Sequence, residues 1–228
     1  MSDSVVPVAA IPEPPQVLAA ADSRVYWDQR HARVDALRSG GNVAMDVATN
    51  AMLYALRVAR LIEAMEAASD SVVPLRVLDA GCGKGHFTRA MATFGHRVDG
   101  IDTSAVAVAE CRRQAVGGDT YEVCALSDWR PPHLYDCVFS VDVLFHIMSD
   151  DEWEASVRNL ASLVRVGGRL LLADHDSAAD RVWSNYQKTR STARYRDLLT
   201  ELGFRYGRFV PNDFRGDPVG LHLATRLA

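Results

Sequence analysis

Apolar positions change their period along this chain. Met52, Leu53, Leu56, Ala59, Leu61, Ile62 and Met65 recur every three or four residues, which predicts a long amphipathic helix from about Asp46 to Ala67. Upstream, Val25, Tyr26, Trp27, Val34 and Leu37 predict a first helix from Asp22 to about Leu37, capped by Asp22 or Ser23. Ser39-Gly40-Gly41-Asn42 reads as a breaker between the two. After Pro74, short apolar runs begin to alternate with helical patterns. Leu75–Ala80, His96–Ile101, Tyr121–Leu126, Tyr135–Val141 and Arg169–Ala173 predict strands, and Phe204–Val210 and Leu221–Leu227 two closing ones. Phe87–Phe94, Ser104–Val116, Asp150–Val164 and Thr192–Leu202 predict the helices among them.

Each connection in the middle of the chain is too long for a hairpin, so the strands should lie parallel with helices on both faces of the sheet. The last two strands lack a convincing helix between them, which predicts an antiparallel finish. The expected fold is α/β, doubly wound, with a mostly parallel seven-stranded sheet and an antiparallel last strand. Residues 1–21, rich in proline and small residues, predict a tail; 22–70 an N-terminal helical lid or cap; 71–228 the ligand-binding domain. No internal repeat is visible.

Composition narrows the function more than the fold. With 228 residues, 48% hydrophobic and 24% charged, the chain has the make-up of an ordinary globular domain. A net charge of −4 and scattered basic residues argue against nucleic acid or an anionic membrane as partner. The cysteines Cys82, Cys111, Cys124 and Cys137 form no Cys-x-x-Cys pair, which argues against a zinc site and suits a reducing compartment. The first residues carry acid where a signal peptide carries base, and no apolar run reaches the ~20 residues of a membrane span. A cytoplasmic location is expected, and a homodimer is left open.

The chemistry is concentrated in Val77-Leu78-Asp79-Ala80-Gly81-Cys82-Gly83-Lys84-Gly85. A buried strand runs into three alternating glycines and then a helix, so that a ligand can lie against bare main chain and the positive helix end. A dinucleotide site would need its third glycine at His86, and Asp79 would repel a diphosphate at this place. A carboxylate here suits a cationic, amine-bearing ligand. The stretch resembles motif I of the class I, Rossmann-like S-adenosylmethionine-dependent methyltransferases. That resemblance implies a Rossmann-like sheet and S-adenosylmethionine as cofactor, its methionine portion lying against Asp79, Ala80, Gly81, Cys82 and Gly83.

Further residues fit the same likeness. Asp102, ending the second strand ~20 residues beyond the loop, is placed to accept from a ribose diol, with Thr103 beside it. Its purely structural alternative is a cap on the next helix. Ser127, Asp128 and Trp129 stand where the family places an acid for the adenine amino group and an apolar cover for the ring; core packing of Trp129 is the alternative. Tyr135–Ile147 carries the fourth signature, with Ser140 and Val141 near the cofactor and Asp142 and His146 at the mouth of the crevice. Histidine suits removal of a proton from a hydroxyl acceptor, so His146 is the candidate general base and Asp142 its orienting partner or a second candidate. Packing at a helix start is the alternative for His146. Tyr26-Trp27-Asp28 resembles the aromatic stretch with which the family's leading helix covers the cofactor.

Asp174-His175-Asp176 after the fifth strand suggests either a divalent metal such as magnesium or a solvated turn. Between Asp176 and Thr192, Trp183 and Tyr186 could meet an acceptor, and residues 212–218 could form another wall. No Asn/Asp-Pro-Pro-Tyr motif follows the fourth strand, which counts against nucleobase and amide nitrogens. The reading is O-methylation of a small-molecule or saccharide hydroxyl. The alternatives are N- or C-methylation of a small metabolite, a cofactor-binding protein without turnover, and a nicotinamide oxidoreductase.

Overall fold

A computed structural model describes residues 20–66 and 74–228. Helices α1 (Ala20–Arg33), α2 (Ala36–Gly40) and α3 (Val47–Glu66) precede strand β1 (Arg76–Ala80). Then come α4 (His86–Thr93), β2 (Arg97–Asp102), α5 (Ala105–Arg113), β3 (Asp119–Val123) and β4 (Tyr135–Ser140). A single helical turn at Leu144–His146 leads to α6 (Asp150–Ser162), β5 (Val164–His175) and the short β6 (Arg181–Ser184) and β7 (Gln187–Thr189). The chain closes with α7 (Thr192–Glu201), β8 (Phe204–Pro211) and β9 (Val219–Arg226).

Seven strands make one sheet in the order β3-β2-β1-β4-β5-β9-β8. Strands β1 to β5 are mutually parallel, whereas β9 runs against both β5 and β8. This is the expected Rossmann-like layout with an antiparallel last strand. Because the chain winds outward from β1 to β3 and returns beside β1 as β4, a crevice opens where the two halves diverge, at the carboxyl ends of β1 and β4.

Side-chain alternation explains why both faces are covered. Leu78, Val138, Leu170 and Leu172 point to a core shared with Trp153 and Leu160 of α6 and Leu199 of α7. Their neighbours Val77, Cys137, Phe139, Leu171 and Ala173 point the other way, onto Leu61 and Met65 of α3 and Phe87 and Met91 of α4. Each fully buried aliphatic side chain contributes roughly 1.5–3 kcal/mol. Serines begin the helices that frame the crevice: Ser104, Ser149 and Ser191 accept from the amides of Ala107, Glu152 and Arg194.

Several boundaries differ from the sequence reading. The tail expected over 1–21 lies outside the described residues as far as residue 19. The first helix stops at Arg33 rather than Leu37, and the breaker at Ser39 is partly helical, in α2. Long-range bonds explain it: Asp35 caps α2, while Arg30 Nε donates to the Ser39 carbonyl at 2.7 Å. The segment Asp176–Thr192 contains an antiparallel hairpin, β6 with β7, that alternation did not reveal. All four cysteines are free thiols. Among the described residues no helix is long and apolar enough to cross a membrane.

Candidate active site

A cavity of about 390 Å³ lies at the carboxyl ends of β1, β2 and β4, within the range of small-molecule sites. Gly81, Cys82 and Gly83 form its floor. Gly81 has φ +86°, and a Cβ there would stand 2.3 Å from Val143 Cγ2, so the β1 loop can pass the β4 loop only as glycine. The Gly83 amide donates to Asp102 Oδ2 at 2.8 Å, and the Ser104 amide to Oδ1 at 2.8 Å. Ser104 caps α5, while Asp102 lies on the cavity wall beside Thr103. Burial raises the Asp102 carboxyl pKa against the lowering effect of these amides.

Other residues expected at the cofactor do not reach the wall. Asp79 is buried behind the floor, where the Thr88 hydroxyl donates to its Oδ2 at 2.6 Å, and burial pushes its pKa up to about 7. The carboxylate expected to meet a cationic ligand is thus turned into the protein. Ala80 and Ser140 are buried together, the Ser140 hydroxyl donating to the Ala80 carbonyl at 2.7 Å; they tie β1 to β4. Ser127, Asp128 and Trp129 also stand off the cavity. Trp129 packs on the core and its indole N–H donates to the Tyr135 hydroxyl at 3.0 Å, so Ala125 and Leu126 supply the wall here.

On the opposite side, Val141, Asp142 and His146 line the cavity. His146 Nδ1 lies 2.9 Å from the carbonyl oxygen of Tyr186, in the turn of the β6–β7 hairpin. A carbonyl can only accept, so Nδ1 carries the proton and Nε2 keeps its lone pair. Burial lowers the His146 pKa to about 4, so the ring is neutral at pH 7. Trp27 meets the ring edge-on with centroids 4.8 Å apart, and the Tyr186 ring stacks on it at 5.6 Å.

Asp142 is not the orienting partner of His146; the Tyr186 carbonyl is. The Asp142 carboxylate is paired with Arg57 of α3, leaving its Oδ1 buried without a partner. Asp142 also sits at φ +59°, a left-handed conformation that costs energy outside glycine and recurs at functional sites. The loop bearing both residues is gripped by Arg190, which is fully buried. Arg190 donates to the Ile147 carbonyl at 2.6 Å, to those of Met148 and Ser149, and to Asp150 Oδ1 at 3.0 Å.

Helix α1 closes the cavity. Trp27 and His31, four residues apart on one face, both line it; Tyr26 stands behind, packed on Trp27 and Tyr186. Burial, with Lys84 and Arg30 nearby, lowers the His31 pKa to about 4, and its Nδ1 has no partner. Asp28 fastens the helix to α5 by accepting from the Ser104 hydroxyl at 2.6 Å and the Val106 amide at 3.2 Å. Lys84 joins the glycine loop to the Val34 carbonyl at 2.9 Å and to Glu110 at 3.2 Å.

Asp174 and Asp176 part company at the end of β5. Asp174 accepts from the buried Tyr195 hydroxyl at 2.6 Å, and Asp176 from Thr192 Oγ1 at 2.7 Å. Among the described residues no group of three potential metal ligands comes together. Arg57, Arg190 and the Tyr186 carbonyl left no sequence signal; His31 had one, its helical spacing from Trp27.

The fold is the Rossmann-like one of the class I methyltransferases, and residues 77–168 match the family model described as a methyltransferase domain. The matched stretch runs from β1 into β5 and covers less than half of the chain. Curated relatives include a ubiquinone biosynthesis O-methyltransferase of Burkholderia thailandensis, 37% identical over 141 residues. That alignment covers 59% of this chain and 58% of the relative, so the chain spans less than two thirds of the length of the relatives it matches. Among solved structures, the magnesium protoporphyrin IX methyltransferase of Synechocystis PCC 6803 with bound S-adenosylmethionine superposes with a TM-score of 0.70 at 23% identity, covering 90% of this chain and 96% of that one. The 1,6-didemethyltoxoflavin-N1-methyltransferase of Burkholderia thailandensis, holding its substrate and S-adenosylhomocysteine, gives 0.63 at 21% identity, covering 96% and 94%.

Proposed function

We propose that this protein transfers a methyl group from S-adenosylmethionine to a hydroxyl of a small molecule, with His146 accepting the hydroxyl proton at Nε2. The observation that carries the proposal is the fixed tautomer of His146 on the wall of a cavity whose far side is the Gly83–Asp102 unit. The residues fit the cofactor. Asp102 offers carboxylate oxygens to a ribose diol, the glycine floor admits a chain lying on main chain, and the unpartnered Asp142 Oδ1 offers an acceptor to an ammonium group. Bound there, S-adenosylmethionine would supply a methyl already activated by its sulfonium.

The protein's own part is to hold, dry and deprotonate. Trp27 and α1 cover the cavity and exclude water. Trp27, on the cavity wall edge-on to His146, suits an acceptor with a flat or ring-shaped face next to its hydroxyl, phenolic or saccharide. With a pKa near 4, His146 stays unprotonated throughout the neutral range. The names of the curated relatives support oxygen as the target atom.

Calorimetric titration with S-adenosylhomocysteine tests the cofactor, and a labelled methyl donor offered with phenols, sugars and amines tests the acceptor. Binding followed by label on hydroxyl compounds is expected. Absence of binding overturns the cofactor reading; label confined to amines overturns the hydroxyl.

A further inference from the structure

We propose that Cys82 and Cys111 form a reversible disulfide beneath the cavity when it is empty of cofactor, and that this bond shuts off cofactor binding. Cys82 follows Gly81 in the glycine loop and is on the cavity wall; Cys111 is buried on α5. Both thiols address one carbonyl, Cys82 Sγ lying 3.7 Å and Cys111 Sγ 3.2 Å from the Gly83 oxygen. With Val108 and Tyr121 they form a small cluster of their own, apart from both main cores. Cysteine often serves merely as a small apolar filler. This pair differs because Cys82 belongs to the wall of a cavity through which a small oxidant can arrive.

Hydrogen peroxide is an oxidant of suitable size. Cys82, as thiolate, would attack one peroxide oxygen, breaking the O–O bond and giving a sulfenic acid and one water. Cys111 sulfur would then attack the Cys82 sulfur and expel the second water, the two thiol protons ending in the waters. Hydrogen bonding to Cys111, with burial, holds the Cys82 thiol well above the usual range, so the reaction is slow and answers sustained rather than brief exposure.

The consequence for the cavity follows from bond length. A disulfide brings its sulfurs to about 2.05 Å, much closer than a hydrogen-bonded pair, and ends both contacts to the Gly83 carbonyl. The amide of Gly83 holds Asp102, so the floor and the ribose site shift together. A bound cofactor would cover Cys82 and slow the reaction. The effect on affinity rests on the reading that this cavity takes S-adenosylmethionine; formation of the disulfide does not.

The test treats the reduced, ligand-free protein with hydrogen peroxide, maps cross-linked peptides by mass spectrometry, and titrates S-adenosylhomocysteine before treatment, after it, and after dithiothreitol. A Cys82–Cys111 peptide is expected, formed more slowly with S-adenosylhomocysteine present. Affinity should fall about tenfold or more, the weight of one charge-assisted hydrogen bond, and return on reduction. Cys111→Ala should bind S-adenosylhomocysteine normally and keep its affinity through the treatment. Failure to find that peptide while other cysteines are oxidised, or unchanged affinity in the cross-linked protein, overturns the proposal. If the reduced protein does not bind S-adenosylhomocysteine, the cavity reading and the control of binding fall, while the peptide map still decides whether the pair closes.

Discussion

The two walls of the cavity are built differently. On the β1–β2 side the defining bond spans 19 residues, from the Gly83 amide to Asp102, and its neighbours Asp79, Thr88 and Ser104 belong to the same stretch. On the β4–β5 side His146 is oriented by a carbonyl 40 residues away, Arg190 grips Asp150 across 40, and Arg57 reaches Asp142 across 85. A wall made by consecutive residues constitutes a motif. A wall made by distant ones depends on the whole fold being in place; on the proposed reading the local wall takes the cofactor and the long-range wall the acceptor.

The largest test of this difference is Arg190→Met, which keeps much of the side chain's bulk and removes its donors. The carbonyls of Ile147, Met148 and Ser149 lose a buried partner, so stability should drop by about 3 kcal/mol in urea unfolding. Methyl transfer should be lost with it, while S-adenosylhomocysteine affinity of the folded fraction stays within about twofold. An equal loss of cofactor affinity would show that the two walls are one unit.

His146→Gln comes next. Turnover should fall roughly 100-fold with cofactor affinity kept, as for loss of a general base. The pH profile of the intact enzyme sharpens the point. Burial lowers the pKa of His146 from 6.5 to about 4, so its basic form persists as pH falls and is lost only through about 4. The rate should be level from pH 8 to well below 6.5, with an acid limb near 4; a limb centred at 6.5 would contradict the buried, neutral ring.

Asp102→Ala should act on the other wall alone, weakening S-adenosylhomocysteine by about 1–3 kcal/mol through lost charge-assisted hydrogen bonds. Turnover at saturating cofactor should survive. Calorimetry and initial rates on the same preparation read both quantities, and unchanged affinity would remove Asp102 from the ribose site.

Legibility followed the same division. The parallel strands, the antiparallel β9 and the glycine loop could be read because period, punctuation and motif are local properties. Sequence puts Asp79 at the strand end but does not say that Thr88 of α4 will donate to its carboxylate. Position leaves Trp129 either a ring cover or a core residue, and the Tyr135 hydroxyl, which sequence does not place, gives its indole a partner on the core side. The β6–β7 hairpin escaped because its strands are short and polar, and with it went the Tyr186 carbonyl, a backbone atom that no residue type announces.

Helix α1 touches both walls, and Asp28 tests whether it couples them. Trp27 and His31 face the cavity, Trp27 against His146 and His31 against the glycine floor, where a Cβ on Gly83 would lie 3.6 Å from His31 Cε1. Asp28, between them in sequence, secures the helix to α5 through Ser104 and Val106. Asp28→Ala removes a supplementary cap and should cost about 1 kcal/mol at most in global stability. Because α1 is the cover rather than the core, the loss should show as faster amide exchange in α1 than in β1 or β4. Cofactor affinity and turnover should then fall together, each by about threefold, as a less occupied closed state weakens both. If only affinity falls, α1 belongs to the cofactor wall alone, and the acceptor side is closed by the hairpin.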